Sequence, residues 1–197
     1  TSLIVSLQSY FTSFNTWGIL GLILGIWIIA ASLLAIILSY KFNFNFRIIQ
    51  KINPHLAHIG VGIAIIGITC SSVFKTEYSY NLNEGDKFQV EDINVILEKI
   101  ETTNEVNFQA LRAKFLINVN ETAFSTVKAG KNYYPVSKMI TSEAGILHEL
   151  FRDVYFIVGD QKDNNWFIKI YINPLVSFIW IGIIIMVLSG FIAATKR

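Results

Sequence analysis

The sequence predicts a polytopic α-helical membrane protein with an inserted small, mainly antiparallel β domain on the extracytoplasmic side. Three observations predict it. Of 197 residues 53% are hydrophobic and only 15% charged, and the mean hydropathy of +0.49 is higher than a chain folding wholly in water usually carries. Three stretches without a single Asp, Glu, Lys or Arg are each long enough to cross a hydrocarbon core of about 30 Å, which takes about 20 helical residues. All 14 acidic residues fall between Lys75 and Lys169, where the hydrophobic pattern changes to period two.

In chain order, residues 1–16 read as an extracytoplasmic lead-in. Thr1 stands where a Met would open a chain, and no basic segment or small-residue cleavage site marks a signal peptide, so this reads as a cut end within a longer polypeptide. Residues 17–40 form the first transmembrane helix, with Tyr10, Phe11, Phe14 and Trp17 suited to the interface. Residues 41–52 are a basic loop holding Lys41, Arg47 and Lys51. Its Lys and Arg excess places it in the cytoplasm. Residues 53–74 form the second transmembrane helix. Residues 173–195 form the third, and Lys196 and Arg197 close the chain on the cytoplasmic side with no acid near them. The two basic sites agree on one topology, which leaves residues 75–172 outside. That excludes a nucleic-acid partner: the basic residues flank membrane spans, and the segment from Lys75 to Lys169 has net charge −3 from 14 acids and 11 bases.

Within 75–172, the run Leu111-Arg112-Ala113-Lys114-Phe115-Leu116-Ile117-Asn118-Val119 puts apolar residues at odd positions, as in a strand with one buried face. Further strands are predicted around 93–100, 124–127, 154–158 and 166–172, with turns at Glu84-Gly85-Asp86, Ala129-Gly130-Lys131 and Gly159 to Asn165. A barrel-like domain with a short helix over Ser142 to Leu150 is the expectation. Asn120-Glu121-Thr122 matches a glycosylation sequon by chance. Cys70, the one cysteine, lies in the second apolar stretch and reads as a small buried hydrophobe, so no disulfide or cysteine metal cluster forms within the chain.

The three histidines are unequal. His58 falls a turn or two inside the second membrane helix, where an unsatisfied polar ring costs several kcal/mol. It therefore binds a metal or packs through a hydrogen bond. Gly60, Gly62 and Gly67 remove bulk, so a neighbouring helix or a flat macrocycle can approach the backbone. His55 shares roughly the same face, which raises a paired metal site, but at the membrane edge after Pro54 it also reaches water or headgroups. His148, beside Glu149 and Arg152, reads as a surface histidine.

The segment Leu56-Ala57-His58-Ile59-Gly60-Val61-Gly62 is similar to the transmembrane His-x-Gly motif of a known family, with Gly62 where a small alanine is usual. Lys131-Asn132-Tyr133-Tyr134-Pro135, Thr141-Ser142-Glu143-Ala144, Arg152-Asp153-Val154-Tyr155, Gly159-Asp160 and Trp166 follow in order. Tyr171-Ile172-Asn173-Pro174-Leu175-Val176, Trp180-Ile181-Gly182, Met186 and Gly190 complete the series. Together, from about Ile52 to the end, they resemble the C-terminal part of CcmF, the haem lyase subunit of the multi-component cytochrome c maturation system.

That resemblance implies a segment of a multi-subunit haem lyase, inactive by itself, that ligates a transmembrane haem b and supports covalent attachment of haem to apocytochrome c. It implies His58 as axial haem b ligand, its iron the metal held, and Gly60 as the close approach beside the haem. Tyr133, Glu143, Arg152 and Asp153 match as structural or partner contacts, and no nucleophile, base or metal cluster stands out as catalytic. The implied partners are membrane lipid, the remaining N-terminal part of the lyase in the same or a separate chain, the haem chaperone CcmE, apocytochrome c with its thiol-handling partner CcmH, and quinol. The implied place is the bacterial inner membrane with the β domain in the periplasm, or the mitochondrial inner membrane. Two rivals share the sequence features: a cytochrome b-type carrier without lyase activity, and a membrane-anchored assembly protein whose β domain binds a partner.

Overall fold

A computed structural model of the protein describes residues 16–40, 47–119, 123–162 and 164–194. The sequon and most of the lead-in, together with Lys41 and the terminal Lys196 and Arg197, lie outside the described residues. The chain forms two compact units, a helical one that takes in Leu150–Arg152 and a β unit over Thr76–Glu149 and Asp153–Ile172.

In the helical unit, α1 (Thr16–Tyr40), α2 (Arg47–Val73) and α3 (Val176–Ala194) are long and apolar enough to cross a membrane. No polar or charged run interrupts them, and in apolar surroundings a helix satisfies its backbone groups internally. Pro54 lies inside α2 near its start. Pro174 precedes α3, and Leu175 takes φ 57° as the chain turns into it. The Leu175 amide donates to the Phe151 carbonyl at 2.8 Å, and the rings of Phe151 and Phe178 lie 6.3 Å apart.

Small residues let the helices meet. A methyl group placed on Gly60 would lie 2.7 Å from the Gly182 carbonyl oxygen of α3 and 2.9 Å from the Met186 side chain. On another face of α2, Gly62 sits against Gly25 and Ile29 of α1. Backbones that approach so closely gain packing that bulkier residues forbid. Gly60→Val is therefore expected to destabilise the helical unit by about 1–3 kcal/mol, read as a lower melting temperature in detergent, because the atom it meets is a backbone oxygen that cannot swing away.

The β unit is a sandwich. Strands β1 (Thr76–Leu82), β2 (Lys87–Val90), β3 (Ile93–Asn104), β4 (Gln109–Val119), β5 (Ala123–Tyr134), β6 (Met139–Glu143), β7 (Gly145–His148), β8 (Arg152–Lys162) and β9 (Asn165–Pro174) form two sheets. One has the order β1-β9-β8-β7 and the other β2-β3-β4-β5-β6. The alternation in β4 works as expected: Ala113, Phe115 and Ile117 are fully buried, facing Val154, Phe156 and Val158 of β8 and Ile168 and Ile170 of β9. The Phe115 and Phe156 rings, 5.0 Å apart, join the two sheets at the centre.

Two expectations fail here. The domain is not a barrel, since β6 and β7 are successive strands assigned to different sheets. Nor does a helix form over Ser142 to Leu150, where the chain is extended through β6 and β7. At Gly145, the first residue of β7, a methyl group would strike Val127 and the Lys128 backbone of β5, so the chain passes close to that strand as it leaves one sheet for the other.

Candidate functional site

His58 stands on the exposed side of α2, and its Nδ1 lies 2.7 Å from the Pro54 carbonyl oxygen one turn earlier. A carbonyl oxygen only accepts, so Nδ1 carries the proton and donates. The lone pair of the neutral ring then belongs to Nε2. An imidazole oriented by a hydrogen bond at one nitrogen and bare at the other has the donor set of an axial haem ligand. Among the described residues no group of three or more His, Cys, Asp or Glu could hold a bare metal ion. His55, half-buried, is on the same helix.

Gly60, expected as the close approach beside the haem, faces α3. Two residues on from His58, it points about 200° round the helix, and its open side is filled by Gly182 and Met186. Gly62, four residues on, shares the His58 side, and there α1 is the close neighbour.

In the β unit the singled-out residues gain partners that the sequence alone does not reveal. Glu143 on β6 pairs with Arg112 of β4, Nη2 to Oε2 at 3.0 Å, and accepts from Asn132 Nδ2 at 2.6 Å. Arg112 also donates to the Leu111 carbonyl at 3.0 Å and lies over Gly130, where a methyl group would come within 2.8 Å of Nη1. Tyr133 is exposed on β5, opposite Ile140. Arg112 lines a groove of about 610 Å³ with Glu98, Lys99, Glu101, Lys114 and Lys128. Ion pairs occupy it, with Lys114 to Glu98 at 2.6 Å and Lys99 to Glu101 at 2.8 Å.

Arg152 and Asp153 are neighbours on β8, where successive side chains project to opposite faces. Asp153 is buried and meets His148, its cross-strand partner, Nδ1 to Oδ2 at 3.2 Å. His148 is exposed, as a surface histidine should be, and this contact ties it to β8. Burial raises the Tyr155 hydroxyl above the usual phenol range, and the charge of Asp153 and a hydrogen bond to it add to the effect.

Lys131 of β5 reaches Asp160 of β8 at 2.6 Å and so links the two sheets. The hydrogen bond from Lys131, then its charge, holds the Asp160 carboxyl below the usual carboxylate range. A depressed folded pKa stabilises above the unfolded value and ceases to as pH falls through the folded value. Comparing the β unit with its Asp160→Asn variant, the parent should be slightly more stable from neutrality down to about pH 4. The difference should vanish below that, as urea titrations at stepped pH would report.

A family model described as "CcmF C-terminal beta-sandwich" matches residues 73–174. The chain is 31% identical over 142 residues to the cytochrome c-type biogenesis protein ccl1 of Rhodobacter capsulatus, covering 72% of this chain and 22% of that protein. It is 30% identical over 143 residues to CcmF of Haemophilus influenzae, again 72% and 22%, and 25% identical over 177 residues to CcmF of Escherichia coli, 87% and 27%. The chain thus spans 22% of the length of the first two relatives. A solved structure titled "Cytochrome c Heme Lyase CcmF" superposes with a TM-score of 0.72 at 13% identity, over 87% of this chain and 29% of that one, which establishes a shared fold.

Proposed function

Since this chain belongs to the CcmF family of cytochrome c biogenesis proteins, as the C-terminal part, we propose that it supplies one axial ligand of a transmembrane haem b and supports haem attachment to apocytochrome c. One observation carries the reading: His58 is exposed on a membrane-length helix with Nδ1 bonded to the Pro54 carbonyl. In this reading the Pro54 oxygen holds the proton on Nδ1, and His58 presents Nε2 outward. A haem b bound there would supply one-electron transfer at a potential set by its ligands and burial.

The enzyme is the whole assembly, in which this segment alone is not active. The remaining lyase residues, in the same or a separate chain, would bring any second ligand. Apocytochrome c with CcmH, the chaperone CcmE and quinol are the proposed partners, with lipid around α1 to α3. The acidic β unit lies on the outer, periplasmic face of a bacterial inner membrane, because Lys and Arg gather at the opposite ends of the spans. Tyr133, Glu143, Arg152 and Asp153 serve structure or partner contact in that unit. The test is His58→Ala in the complete maturation complex. Loss of the haem b absorption with the membrane protein still accumulating supports the reading, and unchanged haem content overturns it.

A further inference from the structure

We infer that Asn53 and Ser189 form a clamp between α2 and α3 that positions His58, an inference that rests on the ligand reading above. Ser189 of α3 and Asn53 of α2 are both buried, with 2% and 6% of their surfaces exposed. The Ser189 hydroxyl lies 2.7 Å from the Asn53 carbonyl oxygen and 3.0 Å from its Oδ1, so one proton is shared between two acceptors of a single residue. In an apolar bundle a buried hydroxyl has few other partners, and breaking this bond leaves polar groups unsatisfied.

The place of the clamp gives it a role. Asn53 directly precedes Pro54, whose carbonyl receives the His58 Nδ1 proton at 2.7 Å. Pro54 has no N–H, so the backbone hydrogen bond that would run back to the Gln50 carbonyl is missing just before the orienting carbonyl. The clamp ties this turn of α2 to α3. Seven residues on, about two turns, Gly60 meets Gly182 and Met186 of the same helix. Between these two fixed points the Pro54 carbonyl and the His58 ring have little freedom to rotate. The imidazole keeps its Nδ1 tautomer and the direction of its Nε2 lone pair. Asn53 and Ser189 are positioning residues, since the structure bonds them to each other and His58 to Pro54.

The test uses the complete maturation complex, purified with Ser189→Ala, Asn53→Ala and Ser189→Thr beside His58→Ala. Two readouts are taken: haem content by absorption, and the fraction of reduced haem that binds carbon monoxide, which reports detachment of an axial ligand. Ser189→Ala should retain haem but raise the carbon monoxide-reactive fraction about fivefold, the effect of one lost hydrogen bond. Asn53→Ala should do less, because the shorter bond to the backbone oxygen survives. Ser189→Thr, which keeps the hydroxyl, should match the parent. The proposal is overturned if Ser189→Ala leaves carbon monoxide binding unchanged, or if Ser189→Thr raises it as much. Should Ser189→Ala accumulate poorly, Ser189→Cys, which keeps the volume and weakens the hydrogen bond, decides the matter: a rise supports the clamp and parental behaviour overturns it. Haem retained in His58→Ala would overturn the ligand reading and the clamp with it, whereas haem lost there beside an inert Ser189→Ala would overturn the clamp alone.

Discussion

Substituting His58 by alanine in the full haem lyase is expected to abolish haem b absorption and to lower the yield of mature cytochrome c at least about tenfold. Changes that merely disturb the partner of a metal-ligating histidine cost roughly 10- to 100-fold in metal affinity, and deleting the ligand removes more. The protein itself should still accumulate, because His58 is on the exposed side of α2 and its one hydrogen bond is to its own helix. That separation of haem loss from protein loss makes the result diagnostic. Normal cytochrome yield without haem b would remove electron relay from the account, and haem with no lyase activity in the parent would favour a plain carrier.

The second large effect belongs to the β unit. Phe115 is wholly buried and stacks at a 33° tilt on Phe156 from the other sheet. Phe115→Ala should destabilise the unit by about 3–5 kcal/mol, a large share of the roughly 5–15 kcal/mol that holds a typical domain together. Limited proteolysis should then cut between Thr76 and Ile172 under conditions that leave the parent intact. The variant tests whether the domain is needed in folded form, since the membrane helices do not depend on that ring. Unaltered protease resistance would show that the two sheets are held by something other than their shared core.

How much of this was legible in the sequence follows from the range of each interaction. The three long helices could be read because each is a run of about 20 residues without charge, a property of consecutive residues. Strand β4 could be read for the same reason: its alternation is local, and Ala113, Phe115 and Ile117 are buried as it predicts. The stretch after Ser142 misled because Ile146, Leu147 and Leu150 carry helical spacing, while its neighbours in the fold, Val127 and Lys128 against Gly145, come from another strand. Pairings across the fold left no trace. Glu143 and Arg112 are 31 residues apart, and Ser189 and Asn53 are 136 apart. The acceptor for His58 was within reach, since every helix offers a carbonyl four residues back. A neighbouring helix at Gly60 was among the readings the glycines offered, but which helix it would be, α3, could not be foreseen.

The strand pair β6 and β7 carries a last consequence. Only Ala144 separates the end of β6 in one sheet from the start of β7 in the other, so neither layer can peel away while the other keeps its ladder intact. Amide protons in both layers should accordingly exchange with deuterium in a single concerted opening.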